Sequence, residues 1–181
     1  MNQGLNTKYN DIIPFIKENK ERFYRFAYRY MKNSDDSIEV VQEAIVKALE
    51  KIHTLRKREY LKTWFYRILI NECLTNIRKN KKIIFLEQYD EVPYIDDTEN
   101  KKVLADILFK AIDNLDPKHK TIILLRFYED MMISDIAKVL KINVNTVKSR
   151  LYRALDLLKE ELKNEDISEY DMFSMEELRR E

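Results

Sequence analysis

Residues 132–158 read MISDIAKVLKINVNTVKSRLYRALDLL, and their apolar side chains recur at helical spacing on both sides of a short polar turn. The turn is Lys141–Asn143, where the helical period is interrupted. Small Ala137 allows two helices to approach each other, and Ile142 and Val147 can fill the angle between them. The stretch therefore predicts a helix-turn-helix.

Several residues along the chain favour helix starts, because their side chains can accept hydrogen bonds from free backbone N–H groups. Ser134 is expected to cap the first helix of this pair, and Asn143 the second. Upstream, we expect Ser34 or Asp35 to cap one helix and Asp116–Pro117 to begin another. The whole chain shows helical periodicity, so the predicted fold class is all-α, with two small helical domains.

The second helix of the pair has an apolar face and a polar, basic face. Lysine and arginine bind phosphates in a salt-dependent way, and asparagine, serine and threonine can reach base edges in the major groove. The candidate DNA-contacting residues of this helix are Asn145, Thr146, Lys148, Ser149, Arg150, Tyr152 and Arg153. An ordinary helical hairpin with a basic rim is the alternative at this stage.

Composition argues against several classes of site. The only glycine is Gly4, which excludes a glycine-rich phosphate loop. The single Cys73 cannot form an intrachain disulfide, and His53 and His119 lie too far apart in sequence to favour a metal or catalytic site. No apolar run reaches the roughly 18 residues of a membrane span. We expect a cytoplasmic protein that needs no metal or cofactor.

The charge lies in blocks, although the net charge is only +1. Residues 54–82 hold nine bases and two acids, and residues 138–153 hold five bases and no acid. Between them, residues 83–100 hold six acids and no base. Two basic stretches separated by an acidic one favour polyanion binding at two places, with solvated helix faces as the alternative.

These patterns divide the chain into four parts. Residues 1–84 are predicted to form the first domain and residues 102–163 the second, which contains the helix-turn-helix. Residues 85–101 are predicted to be an acidic linker, extended by self-repulsion. Residues 164–181 form an acidic C-terminal tail.

The C-terminal half resembles bacterial sigma factors of the extracytoplasmic-function (ECF) type. Asn145–Leu155 is similar to the helix with which that family reads the −35 element, and Leu115–Pro117 and Ile122–Tyr128 resemble the preceding part of sigma region 4. The family usually has glycine where this chain has Lys141, so Lys141 would have to tolerate a strained or left-handed backbone. Asn143 stands where the family commonly has proline.

The N-terminal half resembles the same family independently. Tyr28–Met31 and Val40–Ala44 are similar to regions 2.1 and 2.2. Trp64–Ile68, with Asn71 and Arg78, is similar to regions 2.3 and 2.4. Two matches in the family's order are more specific than either alone.

The resemblance implies an alternative sigma factor, which has no catalytic residues of its own. Such a protein binds core RNA polymerase through the β′ clamp and the β subunit, places it on promoter DNA and helps to open the duplex. An anti-sigma factor, often membrane-linked, is a further implied partner. The residues that the resemblance places on the polymerase are Asp36, Glu39, Gln42 and Glu43, in an acidic helix. A solvated helix face is the alternative for each of them.

Recognition of the −10 element needs a basic and aromatic surface, because unpaired bases stack on aromatic rings while lysine and arginine follow the phosphates. The resemblance implies that a basic loop starting near His53 captures a flipped base. The candidate residues are Arg56, Lys57, Arg58, Tyr60, Lys62, Trp64, Tyr66, Asn71, Arg78, Lys79, Lys81 and Lys82. Core packing is the alternative for Trp64, which lies on an apolar stripe with Leu61 and Ile68.

Three other functions fit less of the sequence. A stand-alone helix-turn-helix transcriptional regulator explains the C-terminal half, but it leaves the region around Trp64 and the acidic helix without a role. A helical adaptor that binds only protein predicts no salt-dependent DNA binding in the presence of polymerase. An enzyme is disfavoured because the sequence lacks a glycine-rich loop, a metal-ligand cluster and a Ser/His/Asp pattern.

Overall fold

The computed structural model describes the backbone of residues 2–80 and 99–163, and the side chains of residues 8–79 and 107–163. Within these ranges every regular element is helical, which confirms the predicted all-α fold class. The chain divides into two compact units, Met1–Glu91 and Val92–Glu181. Most of the predicted linker and all of the C-terminal tail lie outside the described residues.

Residues 2–80 of the first unit form three helices and two short 3₁₀ turns. Helix α1 spans Asn2–Met31 and α2 spans Ser34–Glu50. The turns Ile52–Thr54 and Arg58–Tyr60 follow, and α3 spans Leu61–Asn80. The three helices pack against one another. The two turns connect α2 to α3.

Aromatic rings from α1 and α3 form the core of the first unit. The rings of Phe23 and Phe65 stack with centroids 4.3 Å apart, and those of Phe26 and Tyr66 meet edge to face at 5.3 Å. Such pairs add about 0.5–1.5 kcal/mol beyond the burial of their surface. Cys73 is also buried in this unit, as predicted, and burial raises the pKa of its thiol.

The residue that caps α2 is not one of the two that were predicted. Asn33 has an extended backbone, and its side chain accepts a 2.8 Å hydrogen bond from the backbone N–H of Asp36. The prediction of Ser34 or Asp35 was wrong because both residues already lie in the first helical turn. Lys32, with φ 59°, turns the chain out of α1 and places Asn33 at the capping position.

In the second unit, the described residues 99–163 form four helices and one π-helical turn. Helix α4 spans Glu99–Asn114 and α5 spans Pro117–Ile123, with the π-helical turn Leu124–Tyr128 directly after it. Helix α6 spans Ile133–Leu140 and α7 spans Val144–Lys163. The apolar face of α7 is buried against the other helices, so its polar face is left to solvent.

Asp116 caps α5, as the sequence predicted. Its carboxylate accepts hydrogen bonds from the backbone N–H groups of Lys118 at 2.8 Å and His119 at 3.2 Å. Desolvation raises the pKa of Asp116, but these N–H donors and the His119 side chain together outweigh it, so the pKa lies below that of an ordinary carboxyl group.

Candidate nucleic-acid interface

The predicted helix-turn-helix is present as α6 and α7. Ala137 and Val147 are buried between the helices and Ile142 is half-buried in the turn, which matches their predicted packing roles. Asn143 caps α7, because its side chain accepts a 2.8 Å hydrogen bond from the N–H of Asn145.

Lys141 closes α6 in the left-handed conformation, with φ 55° and ψ 43°. The resemblance to the family implied a strained or left-handed backbone at this position, where the family usually has glycine. Backbone N–H groups of Lys141 and Ile142 both point to the carbonyl oxygen of Ala137, which satisfies the end of the helix. Lys141 therefore sets the direction in which the chain enters α7.

The predicted cap of α6 was wrong. Met132 is the capping residue, with an extended backbone and no side-chain hydrogen bond to the helix. Ser134 lies inside the first turn, because the Met132 carbonyl already accepts bonds from the N–H groups of Asp135 and Ile136. The turn after the π-helical segment thus places the cap of α6 two residues before Ser134.

The outer face of α7 holds all seven side chains predicted to contact DNA. Five of them are exposed and two are half-buried; the exposed ones are Asn145, Lys148, Ser149, Tyr152 and Arg153, and the half-buried ones are Thr146 and Arg150. The Ser149 hydroxyl donates to the backbone oxygen of Thr146 at 3.1 Å, which leaves the Ser149 oxygen as an acceptor. Val144–Leu155 contains no acid, so this part of the helix carries only positive charge.

The first unit exposes a second group of bases on the segment between α2 and α3, residues 51–60, which we call the basic loop. Ile52 and Leu55 are buried and anchor the loop on the core. Between and beyond these anchors the polar side chains are exposed, among them Arg56, Lys57 and Arg58. An anchored loop with projecting cations is suited to a phosphate backbone.

Aromatic side chains near the basic loop differ in their exposure. Tyr60 is exposed, and the Lys57 Nζ lies 5.9 Å from the centre of its ring. Trp64 is half-buried, and its Nε1 donates to the Thr54 hydroxyl at 3.2 Å. Trp64 thus packs at the edge of the core while part of its ring stays accessible.

Tyr66 is not available to DNA. Its side chain is 1% exposed and lies among the rings of Phe23 and Phe26. The sequence placed Tyr66 in the −10 set because it is aromatic and close to Trp64, but the packing of α1 against α3 buries it. We therefore remove Tyr66 from the residues predicted to contact the −10 element.

Four more of the predicted −10 residues lie along α3. Asn71, Arg78 and Lys79 are exposed, and Lys62 is half-buried at the start of the helix. A helix rises 1.5 Å per residue, so the cations Arg78 and Lys79 lie about 25 Å along α3 from the basic loop. Lys81 and Lys82 lie outside the described residues.

The predicted polymerase-binding residues lie on α2. Glu39, Gln42 and Glu43 are exposed, whereas Asp36 is half-buried and its carboxylate accepts a 2.9 Å hydrogen bond from the Asn33 side chain. Asp36 therefore also stabilises the start of α2.

A groove runs between this face of α2 and α3. It is lined by Asp36, Glu39, Val40, Glu43, Glu72, Thr75, Asn76 and Lys79. Lys47 crosses from α2 to α3, with its Nζ 3.2 Å from a Glu43 carboxylate oxygen and in contact with Glu72. The hydrogen bond to Glu72 raises the pKa of Lys47. The ion pairs of Lys47 thus link α2 to α3 beside the exposed acidic side chains of α2.

Sequence reasoning missed two apolar residues of the same face. Ile38 is 43% exposed and Val46 is 54% exposed. With Gln42 they occupy positions four residues apart, which lie on one side of a helix. The spacing of these residues is visible in the sequence. Which side of α2 is buried, however, depends on where α1 and α3 pack against it.

Two family models match the chain in separate stretches. The model for sigma-70 region 2 matches residues 15–83, and the model for sigma-70 region 4 matches residues 105–158. The chain is 40% identical over 157 residues to RNA polymerase sigma factor SigV of Bacillus subtilis (strain 168), an alignment that covers 87% of this chain and 94% of that protein. It is 25% identical over 176 residues to the ECF RNA polymerase sigma factor SigW of the same strain, covering 90% and 92%.

The chain belongs to the sigma-70 family of RNA polymerase sigma factors and is of the ECF type. A match to region 2 as well as to region 4 supports a sigma factor and does not support a stand-alone helix-turn-helix regulator. As a sigma factor, the protein is a transcription initiation factor.

A solved structure has the same fold. It is the sigma factor RpoE of Bartonella quintana in complex with the anti-sigma factor NepR, with a TM-score of 0.69 and 24% identity, covering 83% of this sigma factor and 97% of that chain. No helix among the described residues is long and apolar enough to span a membrane. In the same part of the chain, no group of three or more His, Cys, Asp or Glu side chains is arranged to hold a metal ion.

Proposed function

We propose that this ECF sigma factor docks on core RNA polymerase with α2, reads the −35 element with α7, and reads and opens the −10 element with the basic loop and α3. The observation that carries the proposal is the presence of an exposed cationic surface on each of the two units. A promoter contacted at two separated elements needs two such surfaces, because each unit must bind its own stretch of DNA.

The −35 contact is assigned to the first turns of α7. Lys148 and Arg153 are exposed and project from a helix whose inner face is held by the core, so they can approach phosphates without a change in the fold. Asn145 and Ser149 lie on the same outer face and offer hydrogen-bonding groups to base edges. These contacts are typical of a recognition helix in the major groove.

The −10 contact is assigned to the basic loop with Trp64, and to the exposed side of α3. Unpairing a base costs a few kcal/mol, which stacking and phosphate contacts must recover. The accessible part of Trp64 and the exposed ring of Tyr60 supply stacking surfaces, and Arg56 and Lys57 supply charge. Arg78 and Lys79, near the end of α3, are assigned to the phosphate backbone of the adjacent duplex.

The polymerase contact is assigned to Glu39, Gln42 and Glu43 of α2, flanked by Ile38 and Val46. Exposed apolar side chains beside carboxylates match the composition of a protein interface better than that of a solvated helix face. Asp36 belongs to the same face, but its bond to Asn33 gives it a structural role as well. The partner surface would be the clamp of the β′ subunit, with further contacts to the β subunit.

The protein is proposed to act without catalytic chemistry, metal or cofactor, because its task is to bind and position. Because its proposed partners are core polymerase and DNA, it is proposed to act in the cytoplasm. An anti-sigma factor is proposed as its regulator, supported by the fold it shares with a sigma factor that was solved with such a partner.

Run-off transcription from a library of bacterial promoters tests the proposal, with purified core polymerase in the presence and absence of the chain. Promoter-specific transcripts that depend on the chain are expected, and their start sites reveal both elements. Tight duplex binding by the chain alone, without transcripts, would instead favour a stand-alone regulator.

Matched substitutions then test two of the three assigned surfaces, the −35 surface and the polymerase surface. Lys148→Ala and Arg153→Ala should each weaken −35 binding and reduce the slope of log affinity against log salt by about 1, because each phosphate contact releases a counterion. Lys163→Ala, at the far end of the same helix, should leave the slope unchanged. Glu39→Ala should weaken polymerase binding, whereas Glu18→Ala on α1 should not. An equal effect of test and control variants would contradict the assignment.

A further inference from the structure

The N-terminal part of α1 contacts the basic loop and its approach, although they lie more than 40 residues apart in sequence. The Lys8 Nζ donates to the backbone oxygen of His53 at 3.2 Å. The Tyr9 hydroxyl donates to the backbone oxygen of Leu49, in the last turn of α2, at 3.3 Å. The Arg58 Nε lies 3.2 Å from a carboxylate oxygen of Asp11. Three residues of α1 thus contact the loop or the end of α2 that leads into it.

Pro14 makes this part of α1 depend on such contacts. Proline has no backbone N–H, so the carbonyl oxygen of Asn10 lacks its usual donor inside the helix. The turns before Pro14 are therefore less strongly tied to the rest of α1. Buried Ile12 and the bonds of Lys8, Tyr9 and Asp11 supply the attachment instead.

The ion pair between Asp11 and Arg58 is asymmetric. The Asp11 side chain is only 16% exposed, whereas the Arg58 side chain is 81% exposed. The contact uses the Arg58 Nε and leaves the two terminal guanidinium nitrogens toward solvent. A fixed carboxylate thus holds the base of the guanidinium while its outer edge stays available to an anion.

We propose that Lys8–Ile12 is a positioning element for the basic loop, and that Asp11 orients Arg58 toward the phosphates of the −10 DNA. The inference rests on the proposed function of the loop. Holding the arginine in one rotamer removes part of the entropy that it would lose on binding. Water and salt weaken the repulsion between Asp11 and a phosphate, and the proposal requires that the positioning effect exceed the repulsion that remains.

A double-mutant cycle in the holoenzyme tests this proposal. The variants are Asp11→Ala, Arg58→Ala and the combination of both. The probe is a fork-junction DNA with an unpaired −10 strand, taken from a promoter found in the run-off experiment. Glu21→Ala is the matched control, because Glu21 also lies on α1 and pairs with an arginine, Arg25, at 3.5 Å.

Asp11→Ala is expected to weaken fork binding about two- to fivefold, the range for a single ion pair of this exposure. It should leave binding to a −35 duplex unchanged, and it should add no loss when Arg58→Ala is already present. Glu21→Ala should have no effect. Equal losses in both backgrounds would show a merely structural role, and tighter or unchanged fork binding in Asp11→Ala would also overturn the proposal.

A second measurement separates this proposal from the proposed function. In the NMR spectrum of the full chain without DNA, the Arg58 Nε–H signal should shift and exchange faster in Asp11→Ala, but not in Glu21→Ala. If the wild-type holoenzyme binds no fork DNA, the proposed function of the loop fails, and this signal alone tests the orienting contact. A signal that does not change in Asp11→Ala overturns the contact itself.

Discussion

Replacing Lys141 with glycine should stabilise the second unit. Lys141 adopts φ 55° and ψ 43°, where a residue with a β-carbon costs about 1–2 kcal/mol. Glycine removes that cost, but it adds about 0.5–1 kcal/mol of conformational entropy to the unfolded chain. The difference predicts a gain of about 0.5–1 kcal/mol in the free energy of unfolding.

The chain allows the two units to be followed separately. Trp64 is the only tryptophan and lies in the first unit, so its fluorescence follows that unit alone. Calorimetry follows both units. In Lys141→Gly we expect the transition of the second unit to rise by about 2–8 °C, since 1 kcal/mol corresponds to about 4–8 °C in a domain of this size. The fluorescence transition should keep its midpoint.

Two further variants isolate the backbone effect. Lys141→Ala removes the same side chain but keeps the β-carbon, so its stability should stay near that of the wild type. Lys138→Gly places glycine inside α6 and should destabilise the unit by about 1 kcal/mol. The reasoning is refuted if Lys141→Gly is no more stable than Lys141→Ala. Removing the strain of the left-handed backbone would then not measurably raise the free energy of unfolding.

Three further predictions follow from other parts of the structure. Asp116→Ala should lower the free energy of unfolding of the second unit by about 1 kcal/mol at pH 7, measured in urea. Because the folded-state pKa of Asp116 is lowered, this contribution is present above the unfolded pKa of about 3.9 and is lost as the pH falls through the folded value, so a difference that persists in acid would contradict the cap. Tyr66→Ala should cost the first unit about 3–5 kcal/mol, whereas Tyr66→Phe should cost about 1 kcal/mol, and a Tyr66→Ala protein that stays stable but loses −10 binding would return Tyr66 to the DNA contacts. Val46→Lys should weaken core polymerase binding at least fivefold in a titration of labelled protein, and Ile13→Lys, which changes an equally apolar exposed side chain of α1, should not; equal losses would argue against the α2 face.

Features governed by neighbouring residues were largely predictable from the sequence. The helical periods, the helix-turn-helix, the caps Asn143 and Asp116 and the left-handed turn at Lys141 each depend on a few adjacent residues. The caps of α2 and α6 were mistaken. Several residues near each helix start have side chains that can accept hydrogen bonds from the free backbone N–H groups. The position at which the preceding segment ends decides which residue lies just before the first helical turn and becomes the cap.

The exposure of each candidate side chain required the tertiary structure. Trp64 and Tyr66 are both aromatic and stand two positions apart on α3, but only Tyr66 is enclosed by Phe23 and Phe26 of α1. Likewise, the spacing of Ile38 and Val46 suits either side of α2, and the positions of α1 and α3 decide that they remain exposed.

The sequence by itself determined the helical class, the two basic surfaces and the family, because periodicity, charge and motif spacing are local properties of the chain. Only the tertiary structure decided which aromatic residue is accessible and which residues hold the basic loop. Asp11 meets Arg58 across 46 intervening residues. No pattern of spacing records such a contact, because it exists only when the packing of the helices brings the two residues together.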